Sequence, residues 1–161
     1  MIKLKFFWQK EGYTCGPAAL RMVFDFFGKK FSEEKLKKDL KTNKKIGTKH
    51  NALIIEARKN KFYCFVHENS SISNLKYFVE KGFPVIVHYI EPSENIEHYA
   101  VVIGFNQTKL ILNDPWNGKK FKIKIKEFEK RWHPEKNNNQ KKWMMIISKN
   151  KFNLGRQYSP I

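Results

Sequence analysis

The chain has 161 residues, with 32 Lys and Arg against 15 Asp and Glu for a formal charge of +17, and it is 41% hydrophobic and 15% aromatic. That length suits one domain, the apolar and aromatic content sets it apart from disordered chains, and two cysteines are too few for a disulfide framework. No stretch reaches the ~20 apolar residues of a membrane span, the N-terminus lacks the ~7–15-residue apolar core of a signal peptide, and the lysines are scattered from Lys3 to Lys151 as a solvated surface rather than gathered into a nucleic-acid face.

In chain order, Ala19, Leu20, Val23, Phe24 and Phe27 recur at helical spacing over residues 16–27. Pro17 suits the first turn of that helix and Gly28 its end. A second helix is expected to start at Ser32, with Glu33 and Glu34 at its positive end. A third is expected over 49–60, capped by Thr48, followed by a strand at 62–66. Ser73 is the expected cap of a fourth helix carrying Leu75, Phe78 and Val79 and ending at Gly82. The pattern then turns to strands, at 84–90, 98–105, 109–113, 119–125 and 143–148, with a helical turn over 127–131 and a polar loop over 137–142. Residues 149–161 read as a loosely held tail. Helices first and an antiparallel sheet afterwards describe an α+β domain over residues 1–148.

Chemistry is suggested first by Cys15, which stands immediately before Gly16-Pro17 and the first helix. Unpaired N–H groups and the helix dipole at such a position favour a thiolate, although a small residue would also stand there simply as a cap. Cys64, inside an apolar run, reads as a core thiol. Of the five histidines, His98 opens the apolar run 99–105 at a strand mouth. His88 falls mid-strand and reads as core, whereas His50, His67 and His133 lie in polar surroundings and read as surface. A turn centred on Gln107 would place His98 opposite Trp116, with Asp114 its diagonal neighbour on the same face. Asp114 would then orient the imidazole. A one-residue slip would separate the two and leave Asn113 as the orienting group. Gln9, six residues before Cys15, carries an amide suited to stabilising an oxyanion together with the Cys15 N–H. No metal or cofactor is called for.

The run Gln9-Lys10-Glu11-Gly12-Tyr13-Thr14-Cys15-Gly16-Pro17-Ala18-Ala19-Leu20 resembles the nucleophile motif of the bacteriocin-processing peptidases. These are papain-like domains found at the N-terminus of peptidase-containing ABC exporters and also as free-standing proteins. Ile46-Gly47-Thr48 with Leu53 and Ala57 is similar to the family's middle segment, His98-Tyr99-Ala100-Val101-Val102 to its histidine strand, and Asn113-Asp114-Pro115 to its acidic motif. The resemblance covers about residues 5–148, and one departure is Thr14 where family members commonly carry Asp. It implies a papain-like fold over residues 1–148 and a Cys15–His98–Asp114 triad with Gln9 at the oxyanion. It further implies cleavage after a Gly-Gly pair in a leader peptide, and a separate membrane exporter as partner. The chain reads as the peptidase part alone, cytoplasmic, with neither transmembrane segments nor a phosphate-binding glycine loop. Two other readings share this fold: a leader-binding module that does not cut, which the presence of Cys15 argues against, and an acyl transferase that resolves the same thioester with an amine.

Overall fold

The computed structural model describes residues 1–134 and 141–161. The apolar periodicities become α1 (Cys15–Phe26), α2 (Glu33–Asp39), α3 (His50–Lys59), β1 (Tyr63–His67), α4 (Ile72–Glu80), β2 (Val85–Ile90), β3 (Glu97–Phe105), β4 (Lys109–Asp114), β5 (Gly118–Lys124), α5 (Ile125–Arg131) and β6 (Met144–Ser148). The six strands form one antiparallel sheet in the order β1-β6-β2-β3-β4-β5. No helix among the described residues is long and apolar enough to cross a membrane.

Strand alternation divides the core in two. Tyr99, Val101 and Ile103 of β3 and Met145 and Ile147 of β6 join Leu20, Val23 and Phe24 of α1, Leu36 of α2 and Leu53 of α3 in one cluster. Ala100, Val102, Met144 and Ile146 point the other way, to Leu75 and Phe78 of α4 and Phe128 of α5. The sheet is therefore covered on both faces, which is why the middle of β3 is buried throughout rather than alternating. Gly28, at φ +84°, ends α1 in a conformation open to glycine.

Several local expectations are corrected. Thr48 does not cap α3: the cap residue is Lys49, and the Thr48 hydroxyl instead shares a 2.7 Å hydrogen bond with the Thr42 hydroxyl. The cap of α4 is Ser71, not Ser73. Its hydroxyl accepts from Asn74 N at 3.1 Å while Asn74 Oδ1 accepts from Ser71 N at 2.8 Å, a closed reciprocal pair. Tail residues 149–161 are held rather than loose. Cys64 and Tyr158 exchange backbone hydrogen bonds of 3.0 and 2.9 Å along the outer edge of β1. Phe152 is buried in the second cluster, and Arg58 Nε donates to Ser159 O at 2.7 Å. The polar loop expected over 137–142 falls mostly outside the described residues.

Candidate active site

Three of the four expected site residues come together at one end of the sheet. Cys15 is the first residue of α1 and is partly buried. His98, the second residue of β3, is 2% exposed, and Asp114, the last of β4, is wholly buried. The hairpin register explains their meeting. Val101 pairs with Asn113 and Val102 with Leu112, as a turn centred on Gln107 requires, and the register shifts by one only beyond Val102, toward the turn. His98 and Asp114 thus share a face, and His98 Nε2 donates to Asp114 Oδ1 at 2.7 Å. A carboxylate only accepts, so this bond fixes the proton on Nε2 and leaves Nδ1 for the Cys15 thiol.

The electrostatics follow from that geometry. Burial works against a charged His98, but the charges of Cys15 and Asp114 and hydrogen bonds to both outweigh it, so its pKa is pushed up to about 10. Burial likewise opposes ionisation of Asp114. The His98 charge and hydrogen bonds from His98, Tyr89 and the Asn117 backbone nevertheless hold its carboxyl below the ordinary range. The carboxylate is saturated. Oδ1 also accepts from Trp116 N at 2.9 Å and Asn117 N at 2.8 Å, and Oδ2 accepts from the Tyr89 hydroxyl and, at 3.4 Å, from Asn117 Nδ2. Asp114, rather than Asn113, faces the imidazole. Asn113 is turned elsewhere, donating to Leu4 O at 3.2 Å and accepting from Lys120 N at 3.2 Å.

Gln9 is near this group through its backbone, with its N–H on Pro115 O at 3.1 Å, while its side-chain Nε2 donates to Glu11 O at 2.8 Å. Glu11 O also accepts from Thr14 N and Thr14 Oγ1, which closes the loop leading to the cysteine. The Thr14 hydroxyl therefore folds back onto that loop instead of capping α1. Lys10 N donates to both oxygens of the buried Glu33 carboxylate at 3.1 Å, pinning the same loop to α2.

Gly16 has a direct steric reason. A Cβ there would lie 2.5 Å from Thr48 Cβ, so only glycine lets the start of α1 close on the 47–48 segment. The Tyr99 hydroxyl donates to Thr48 O at 2.8 Å and ties that segment to β3. A cleft of about 570 Å³ opens here, with Cys15, Thr48, His50, His88 and Tyr99 among its lining residues. One expectation changes at this point. His50 is not a surface residue, because its ring stacks on Trp143 at 4.1 Å within the cleft wall. Tyr99 lines the cleft while 2% exposed, whereas Trp116 is 40% exposed. His88, half-buried beside Tyr99, is pushed down to a pKa of about 4 by desolvation first and by the His98 charge second, so it stays neutral. Cys64 is a wholly buried thiol whose pKa burial pushes up to about 12, which removes it as a competing nucleophile.

Tyr89 and Asn117, which hold Asp114, were not singled out by the sequence. The signal for Tyr89 is its pairing position directly across from His98. For Asn117 it is the short turn 115–117 between β4 and β5.

The description "Peptidase_C39 like family" matches residues 1–140. Among solved structures, the peptidase domain of Streptococcus ComA, a bi-functional ABC transporter involved in a quorum sensing pathway, is similar with TM-score 0.74 and 26% identity, over 93% of this chain and 100% of that one. A double glycine motif protease from an AMS/PCAT transporter, solved with the leader peptide, has TM-score 0.71 and 24% identity, covering 90% and 91%. A C39-like peptidase from Bacillus anthracis has TM-score 0.73 and 18% identity, covering 92% and 96%. No curated protein matches the chain.

Proposed function

The chain belongs to the Peptidase_C39 like family and is a cysteine peptidase, and on that premise we propose that Cys15, His98 and Asp114 are its catalytic triad, with Gln9 at the oxyanion, cutting a leader peptide after a Gly-Gly pair. The observation that carries this reading is the buried His98–Asp114 bond of 2.7 Å behind a cysteine at a helix N-terminus. His98, kept protonated toward pH 10, places an imidazolium beside the Cys15 sulfur across the neutral range.

The thiolate attacks the scissile carbonyl carbon, and the carbonyl oxygen becomes an oxyanion. Two donors are suited to it: the Cys15 backbone N–H in the first turn of α1, and the second N–H of the Gln9 amide, whose first is given to Glu11 O. One such donor contributes about 2.7–4 kcal/mol to the transition state. The tetrahedral intermediate collapses, the C–N bond breaks, and the leaving amine takes the His98 proton. Water then gives a proton to the neutral imidazole and attacks the thioester. Breaking the C–S bond releases the acid and restores the ion pair.

The Gly-Gly preference rests on the similarity to the AMS/PCAT protease, which is described as acting at a double glycine motif. The test uses a peptide carrying a leader, Gly-Gly and a cargo segment. Mass spectrometry should find a single cut after the second glycine, and none when the pair is replaced by Val-Val. Cys15→Ala should abolish cleavage in a protein that still unfolds in one cooperative urea transition; cleavage persisting in that variant would sink the triad assignment.

A further inference from the structure

Glu91 lies one residue beyond β2 and is wholly buried, yet no cation pairs with its carboxylate among the described residues. Its Oε1 accepts from Glu94 N at 2.6 Å, and its Oε2 accepts from Ser93 N at 2.7 Å, Ser93 Oγ at 2.6 Å and Asn117 Nδ2 at 3.1 Å. Arg131 of α5 reaches the same turn but donates to Ile90 O and Asn95 Oδ1. The Glu91 backbone closes the turn as well, its N–H on Ile96 O at 2.9 Å and its carbonyl accepting from Asn95 N at 3.0 Å. Two residues after Ile96 stands His98.

The same carboxylate reaches the other half of the pair. The Asn117 amide that donates to Glu91 also donates to Asp114 Oδ2, and Asn117 N donates to Asp114 Oδ1. A second strap runs parallel: Trp116 Nε1 donates to Ser93 Oγ at 3.1 Å, and Ser93 Oγ donates to Glu91. The turn that presents His98 and the turn that presents Asp114 are thus joined through one buried anion. Burying an anion without a cation is costly unless its acceptor sites are filled. Neutral donors fill them here, and hydrogen bonding to Ser93 and Asn117 outweighs desolvation to keep the Glu91 carboxyl ionised.

We propose that Glu91 is a positioning residue for the peptidase site: through Asn117 and Ser93 it locks the His98 and Asp114 turns in register, and so holds the His98–Asp114 hydrogen bond. The inference rests on the triad reading above. The groups facing His98 are Cys15 from α1, Asp114 from β4, and Tyr89 and His88 from β2. Those around Glu91 are Ser93, Glu94 and Asn117, with Arg131 at the same turn and, at longer range, Tyr89.

The test is Glu91→Gln in the full chain, with two readouts. In leader-peptide cleavage, kcat should fall by roughly tenfold or more, the loss of one charge-assisted hydrogen bond read on the rate scale. KM should hold, and the alkaline limb of kcat/KM should move to lower pH. In an NMR titration of the His98 ring, which needs no substrate, the midpoint should fall below that of the wild type. An unmoved midpoint overturns the role of Glu91 and leaves the triad standing. A lowered midpoint in protein whose wild type cleaves no leader peptide overturns the triad reading and leaves the role of Glu91 in holding His98. Should Glu91→Gln fail to fold, Asn117→Ala decides: a several-fold drop in kcat at constant KM supports the strap, and wild-type kcat overturns it.

Discussion

His98 is a base made into a cation by its neighbours, and the sign of that effect fixes its pH behaviour. Its pKa rises from 6.5 to about 10 although burial opposes the change, because Cys15 and Asp114 outweigh desolvation. A group raised on folding stabilises the native state fully below its unfolded pKa, and that contribution is lost as pH climbs through the folded value. The urea midpoint of the wild type should therefore decline between about pH 6.5 and pH 10. In Asp114→Asn the His98 pKa falls, so this decline should shrink and the alkaline limb of kcat/KM should move to lower pH. The same variant should lose up to about 10⁴-fold in kcat, the loss seen when an orienting carboxylate becomes an amide. A flat limb position in Asp114→Asn would show that Asp114 does not set the His98 charge. Cys15, His98 and Asp114 were legible because each stands at the start or end of an element the apolar pattern reveals. Tyr89, Asn117 and Glu91 were not: each is one polar residue in its segment, and its meaning comes from a partner about 25 positions away across the sheet. The position of Gln9 was legible too, but not the direction of its side chain, since Glu11 O draws Gln9 Nε2 and two groups of Thr14 to one acceptor.

Elements were read well where a period carried them and less well at their ends. The 3.6-residue spacing in 16–27 gave α1 to within a residue, and the short Asn106–Thr108 turn gave the register that joins β3 to β4 near the site. The shift beyond Val102 had no mark in the sequence, because an extra residue in one strand leaves composition unchanged. Helix starts were harder because several hydroxyl residues compete for each cap. Residues 70–73 offer three serines, and Ser71 wins because Asn74 stands three positions later to return the bond. Ser71→Ala should therefore cost about 0.5–2 kcal/mol, read as a lowered urea midpoint, while Ser73→Ala should cost little. Equal effects from the two substitutions would mean the reciprocal pair is not what starts α4. At Thr48 the same competition goes the other way. Its hydroxyl is spent on Thr42 and its bulk on the space left by Gly16, so it shapes the cleft wall rather than the helix.

At the scale of the molecule, the α+β class followed from the order of the patterns, but the strand order did not. The last strand, β6, inserts between β1 and β2, and it arrives from the far end of the chain, so no local signal announces it. That insertion leaves β1 at an edge, and an unpaired edge is a template for pairing with other chains. Residues 149–161 answer it. Tyr158 pairs with Cys64 on the outer side of β1, Ile161 N donates to Arg58 O at 3.1 Å, and Phe152 is buried against the second cluster. The sequence concealed this because the tail has no apolar run of its own, only single anchors spaced along polar residues. Removing residues 149–161 should therefore lower stability by ~3–5 kcal/mol, the scale of losing one buried Phe, and should raise the fraction of associated species in size-exclusion chromatography. The proposed site lies on β3, β4 and α1, three strands or more from that edge in the sheet order, so kcat per folded molecule should be retained. An unmoved urea midpoint would show that the tail rests on the edge without stabilising it, and a loss of kcat with the midpoint held would show that β1 and the catalytic end are coupled through the sheet.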